Sequence, residues 1–269
     1  MKCMPVTRAP GMKRRHIMKQ RFKLALNFCG PVVKTFALLS WRTLVSLRGG
    51  VAAPFTCSVL AAATLSLWNL GAQSVVGVDI NARMLACAAA KSHALGAPAQ
   101  WYCSDILHTP HELDATADLV HTGRGALCWL MDLKAWAEVI VRLLKPGAKL
   151  YVFDGHPLDW LWDGTSTHYR FEADAVSYFQ REPVSSLGWS FSYIPVESQA
   201  KQPATKWERQ WTLGDIVNAL LAADLRLLRL EEHPDRYWDI FSNMLPELQD
   251  RLPHTFRYGW RSRPGEGCT

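Results

Sequence analysis

Acidic residues are absent from the first 78 positions, which hold 11 Lys and Arg and no Asp or Glu. The remaining 191 residues carry 19 basic and 24 acidic side chains, a net of −5. The overall +6 therefore describes a leader, and the body is mildly acidic. A nucleic-acid reading from charge alone would rest on the wrong part of the chain, since the basic residues form no motif or periodic face. Glycine is absent between Gly50 and Gly71, which excludes a G-x-G-x-x-G phosphate loop there. No C-x-x-C pair occurs among the seven cysteines at 3, 29, 57, 87, 103, 128 and 268. An odd, scattered set excludes a disulfide framework and fits free, mostly buried thiols in a reducing, cytoplasmic setting. Cys103, His108 and His111 do not have the usual spacing of a zinc site, and a strand end followed by a polar loop accounts for them. No metal is expected. The uncharged run 49–78 contains Pro54, Asn69, Gln73 and several Ser and Thr, which tells against a membrane span. An Arg-rich, acid-free start also has the composition of an organellar transit peptide.

What is present is an alternation of helix and strand signals from about Leu65 onward. Leu65–Leu70 reads as a helix end stopped by Gly71. Ser74–Ile80 is a short apolar run ending in an acid, as a buried parallel strand does. Arg83–Leu95 is Ala-rich and helical, and strands follow at 100–103 and 118–122. Asp132 reads as an N-cap for a helix whose apolar face is Leu133, Trp136, Ala137, Ile140, Leu143 and Leu144. Lys145-Pro146-Gly147 stops it, and a strand follows at 149–154. Residues 157–211, rich in Trp, Tyr and Phe, break the rhythm and read as an insertion over one end of the sheet. Thr212 with Asp215 forms a capping box for a helix with Leu213, Ile216, Val217, Leu220 and Leu221 on its buried stripe. Strands are expected at 225–230 and 254–261. This order predicts an α/β, doubly wound, Rossmann-like fold.

Chemistry concentrates at strand ends. Asp79 closes the run Val76-Gly77-Val78-Asp79-Ile80, where a carboxylate can accept both hydroxyl protons of a ribose. Ser104-Asp105-Ile106 follows the next strand, where an acid can accept from an adenine amino group and an apolar side chain can cover the ring. For each acid the plain alternative is a helix cap or a solvated turn. Two such acids at this interval point to an adenosine.

With Gly125-Ala126-Leu127-Cys128-Trp129-Leu130-Met131-Asp132-Leu133 and Leu143-Leu144-Lys145-Pro146-Gly147-Ala148, the chain from Leu65 to about Arg263 resembles class I S-adenosylmethionine-dependent methyltransferases of a small bacterial type. His156-Pro157, the segment Leu213–Leu220 and Leu252-Pro253-His254 extend the likeness. The resemblance implies a mostly parallel seven-stranded sheet with an antiparallel edge strand, its first strand degraded. It divides the chain into a leader, 1–64, and a methyltransferase domain, 65–269, with 157–211 as lid. It implies S-adenosyl-L-methionine as cofactor, with Asp79 and Ile80 at the ribose, Ser104, Asp105 and Ile106 at the adenine, and Thr122 and Gly123 along the methionine arm. The expected partner is a small-molecule acceptor, with neither nucleic acid nor membrane; oligomeric state is not legible. His121, Arg124, Asp154 and His156 lie where substrate can be met, but a packing or surface role is the favoured reading for each. No compact catalytic motif is visible, as suits a displacement governed by alignment.

The chain departs from the family before Leu65. There the resemblance requires a strand and a glycine-rich loop whose N–H groups hold the methionine carboxylate, yet Val51–Thr64 has no glycine and has Pro54. Rereading the codons of Pro54–Thr64 from their third bases, with suitable choices at free positions, can encode Leu-His-Leu-Gln-Cys-Phe-Gly-Gly-Gly-Asp. A frame shift upstream of residue 64 would account for the loss. Two readings stand beside an active methyltransferase: an impaired or inactive methyltransferase-like domain, and an NAD-dependent oxidoreductase holding its ribose on Asp79. The missing G-x-G-x-x-G turn and the Ser104-Asp105 loop tell against the last.

Overall fold

The computed structural model describes residues 62–172, 174, 176–187, 204–237 and 240–263. Nearly all of the expected leader and Trp189 of the aromatic insertion lie outside the described residues.

Helix α1, Ala62–Asn69, leads into strand β1, Val75–Asp79. Helix α2, Ala82–Leu95, crosses to β2, Ala99–Cys103. The α2 N-cap is Asn81, whose side chain accepts from the Arg83 and Met84 N–H groups, and Gly96 closes the helix at φ 64°. β1 and β2 pair in parallel, Asp79 opposite Cys103. Gly77 sits directly opposite Trp101, and a Cβ at Gly77 would come within 2.2 Å of that indole. The glycine in the Gly-Val-Asp run thus makes room for a neighbouring ring.

Strand β3, Ala117–Gly123, is followed by α3, Leu133–Leu143, capped by Asp132 accepting from Ala135 N–H. Strand β4, Leu144–Gly155, runs parallel to β3. Leu144 pairs with Ala117, residues 145–148 bulge outward, and pairing resumes at Leu119 and Lys149. The expected stop at Lys145-Pro146-Gly147 is therefore a bulge at the start of the strand, with Gly147 at φ 75°. Short strands β5, Val184–Leu187, and β6, Thr205–Glu208, pair antiparallel within the insertion. Helix α4, Leu213–Ala222, begins with the Thr212–Asp215 capping box. Strands β7, Arg226–His233, and β8, Thr255–Arg261, complete the order.

Two expectations about the sheet are corrected. The described strands form separate ladders, β1-β2 and β3-β4-β8-β7, with β5-β6 apart, and not one seven-stranded sheet. The antiparallel strand is also not at the edge: β8 lies between β4 and β7. Burial explains the exchange. Phe256, Tyr258 and Trp260 of β8 are at most 1 % exposed, whereas β7 has alternate residues in water along most of its length. The more apolar strand takes the inner place.

Side-chain packing joins the two larger ladders. On one face, Val78 of β1, Val120 of β3 and Val152 of β4 share a core with Trp136 and Ile140 of α3 and Ile216 and Leu220 of α4. On the other, Val75 of β1, Leu119 of β3, and Tyr151 and Phe153 of β4 pack with Ala63, Leu67 and Trp68 of α1. Helices thus cover both faces, as a doubly wound sheet requires. On α4, Ile216 and Leu220 are buried but Leu221 is 51 % exposed, so the buried stripe is narrower than the sequence suggested. Among the described residues the thiols differ from expectation: Cys87 and Cys103 are exposed and Cys128 is half-buried. Cys87 lies off the buried Leu85–Ala88–Ser92 stripe of α2. Cys103 ends β2, where the chain leaves the sheet.

Candidate cofactor site

The tips of β1 and β2 are neighbours, and Ser104 N–H donates to the Asp79 carbonyl at 3.1 Å. This brings together two of the groups the sequence singled out, 25 residues apart. Asp79 is half-buried and accepts the Asn81 N–H at 2.7 Å on Oδ1. Burial pushes its pKa up and the Asn81 bond pulls it down. A carboxylate partly withdrawn from water with one short backbone bond has capacity for further donors, such as a vicinal diol. Ile80, just beyond, is 72 % exposed.

The Ser104–Ile106 loop is locally closed. The Ser104 hydroxyl donates to the His108 carbonyl, and Asp105 caps the 3-10 turn Ile106–His108 through Leu107 N–H at 2.9 Å. The capping role weighed for Asp105 is thus present, with its Oδ2 3.5 Å from His108 Nδ1. Ile106 is 7 % exposed and part of the larger core, so its side chain is spent mainly on packing. Cys103, His108 and His111 have separate local partners: Ile80 O, Asp105 and Asp114.

At the tip of β3, Thr122 is fully buried and its hydroxyl has no hydrogen-bond partner among the described residues. A buried orphan hydroxyl is costly and is the kind of atom a bound ligand can satisfy. Gly123 follows against the β4 backbone. A Cβ there would lie 1.8 Å from the Phe153 carbonyl oxygen, so only glycine fits. Arg124 then adopts φ 62° and Gly125 φ 87°.

The sequence favours a packing or surface role for Asp154 over substrate contact, and the structure gives it a structural part. Asp154 is 3 % exposed at the tip of β4. Its Oδ1 accepts from the N–H groups of Gly125 and Gly155 and from the Tyr237 hydroxyl at 3.0 Å. Its Oδ2 accepts from Ala126 and Leu127 N–H at 3.1 and 3.0 Å. Burial raises its pKa and these donors draw it back. Tyr237 packs edge-on against Phe153, and the Arg124 guanidinium lies over the Tyr237 ring, 5.5 Å from its centroid. Only a strand-end acid was a signal in the sequence; that Tyr237, 83 residues away, would reach it was not.

His121 stacks on Tyr151 at 5.8 Å and is 1 % exposed. Burial and the nearby Arg124 cation hold its pKa down to about 3. It belongs to the core. His156 donates from Nε2 to Glu232 at 2.8 Å and accepts Leu158 N–H on Nδ1. Beside it, buried His254 bridges Asp159 at 2.6 Å and the Tyr169 hydroxyl at 2.8 Å, tying the insertion to the start of β8. Within the insertion, Trp162 packs on Tyr169 and Phe171.

The sequence profile described as a methyltransferase domain matches residues 57–152. Over those residues the chain is similar to that domain family. Solved structures agree on the fold. An S-adenosylmethionine-dependent methyltransferase from Clostridium acetobutylicum is similar at TM-score 0.59 and 13 % identity, over 93 % of this chain and 97 % of that one. One from Mesorhizobium loti is similar at TM-score 0.51 and 17 % identity, over 82 % and 96 %. Geranyl diphosphate C-methyltransferase from Streptomyces coelicolor A3(2) is similar at TM-score 0.54 and 11 % identity, over 83 % and 76 %. No curated protein matches by sequence. Among the described residues no helix is long and apolar enough to cross a membrane.

Two outcomes follow. Asp154→Asn removes the charge that five donors converge on, and stability should fall by about 3 kcal/mol. A thermal melt should drop by roughly 6–12 °C; an unchanged midpoint would show that the carboxylate is not needed. His121 stays neutral in the folded state down to about pH 3, while the unfolded chain takes up a proton below about 6.5. Stability should therefore be full above that value and fall as pH drops, by up to about 1.4 kcal/mol per unit. His121→Phe should flatten the decline in urea midpoints between pH 7 and 5 relative to the parent.

Proposed function

We propose that this chain is an S-adenosylmethionine-dependent methyltransferase of a small-molecule acceptor, with residues 65–269 as its domain and 157–211 as cover. The carrying observation is the juxtaposition of Asp79 with Ser104-Asp105 at the paired tips of β1 and β2. Asp79 would hold the ribose diol, with Ile80 at its edge. Asp105 would receive the adenine amino group beside Ile106, and Thr122 and Gly123 would follow the methionine arm. Carboxylates on diols and amines are strong orienting contacts, because each accepts a donor already short of water. The bound group supplies an electrophilic methyl. The chain's part is to align an acceptor with it and exclude water, which needs a base only when the acceptor must lose a proton. The half-buried aromatic cluster around Trp162 and Tyr169, stacked on buried His254, is suited to covering that end of the sheet. The geranyl diphosphate enzyme's small-molecule substrate supports the same class of acceptor here.

A second reading is an impaired domain, the product of a shifted frame. It is favoured by the glycine-free stretch 51–70. Titration calorimetry with S-adenosylhomocysteine separates the two. The first reading expects micromolar binding and a loss of about tenfold or more in Asp79→Asn, which removes a charged acceptor. No binding by a chain shown to melt cooperatively would favour the second. Under that reading, replacing Pro54–Thr64 by the reread glycine-containing sequence should restore binding.

A further inference from the structure

We propose that Arg124 is the residue that holds the carboxylate of the cofactor's methionine arm. The inference rests on the cofactor reading above and adds a residue to it. A methionine arm ends in a carboxylate, at the far end of the molecule from the adenine. A carboxylate moved out of water needs fixed donors or a cation. Backbone N–H groups in a positive-φ loop are the common way to supply them. The stretch before and through α1 has no glycine from 51 to 70, so such a loop would have to be built from residues that resist that conformation.

The positive-φ backbone lies instead at the tip of β3. Arg124 stands between Gly123 and Gly125, at φ 62°, a conformation unfavourable for a residue with a Cβ. That cost is imposed from several sides. Arg124 N–H donates to the Phe153 carbonyl at 2.8 Å, Gly123 is pressed onto the same carbonyl, and Gly125, Ala126 and Leu127 are all bound to Asp154. An over-determined, strained residue beside a binding site is how a side chain is aimed. The guanidinium is set over the face of Tyr237, whose hydroxyl is itself fixed by Asp154. The cation lies over a ring whose hydroxyl is tied to a carboxylate, and a planar fork held this way matches a second carboxylate in two-point geometry. Position agrees. Adenosine contacts at the tips of β1 and β2 leave the methionine arm to extend toward β3, whose side chains share both cores with β1. Arg124 is the cation directly after Thr122 and Gly123.

The test compares two ligands by calorimetry on the full chain. S-adenosylhomocysteine carries the carboxylate; 5′-deoxy-5′-methylthioadenosine keeps the adenosine and lacks the amino-acid arm. Arg124→Met should weaken the first at least tenfold and change the second by less than twofold. Arg124→Lys should recover part of the loss, since it restores the charge but not the fork. Equal weakening of both ligands would make Arg124 a structural residue and overturn the assignment. No weakening of either would overturn it too, and would point to an anion on the acceptor. If neither ligand binds the folded parent, the cofactor reading falls and this assignment with it. If only methylthioadenosine binds the parent, the adenosine site stands and the assignment alone fails.

Discussion

Asp154 is the group on which the mouth of the sheet depends. A carboxylate buried at the end of a strand is tolerable only if donors replace the water it has lost. Here the loop after β3 folds back so that successive N–H groups point at it, and Tyr237 closes the ring from the β7–β8 connection. The loop can do this only because Gly123 has no side chain and Gly125 accepts a positive φ. Arg124 is carried along into its strained conformation. One charge therefore sets the path of β3, the end of β4 and the place of an aromatic ring.

The rest of the sheet is held differently. Between β1 and β3 the described contacts are side-chain packing on both faces. Packing of this kind is non-directional and proportional to area, whereas a ladder fixes register. Helix α1 lies across Val75, Leu119 and Phe153, and α3 and α4 cover the opposite side with Trp136, Ile140, Ile216 and Leu220. Both ladders are thereby clamped between helix layers.

Several predicted site residues have two occupations. Asp105 caps a turn and Ile106 fills the core, so any cofactor contact would be added to a local role. Asp79 and Thr122 differ. The first is half-buried with a single backbone donor, and the second has a buried hydroxyl with no partner among the described residues. Unspent hydrogen-bonding capacity is better evidence of a ligand than residue type alone.

Much of the secondary structure was legible because local rules decide it. Asp132, Thr212 with Asp215, and Gly96 act at helix ends as their chemistry dictates, and the strand runs fall within a few residues of expectation. The likeness in motif order reached the same class of fold and the same cofactor. Ladder order was not local. That β8 would displace β7 from the inner position followed from which strand had more apolar surface to bury against α3 and α4, a comparison only the assembled layers make. Nor could periodicity show that Leu221 would face water, that Ile106 would be absorbed by the core, or that Asp154 would gather donors from a loop 28 residues earlier and a tyrosine 83 residues later. Spacing along a chain determines caps and faces; which buried charge finds its partners depends on distances that exist only after folding.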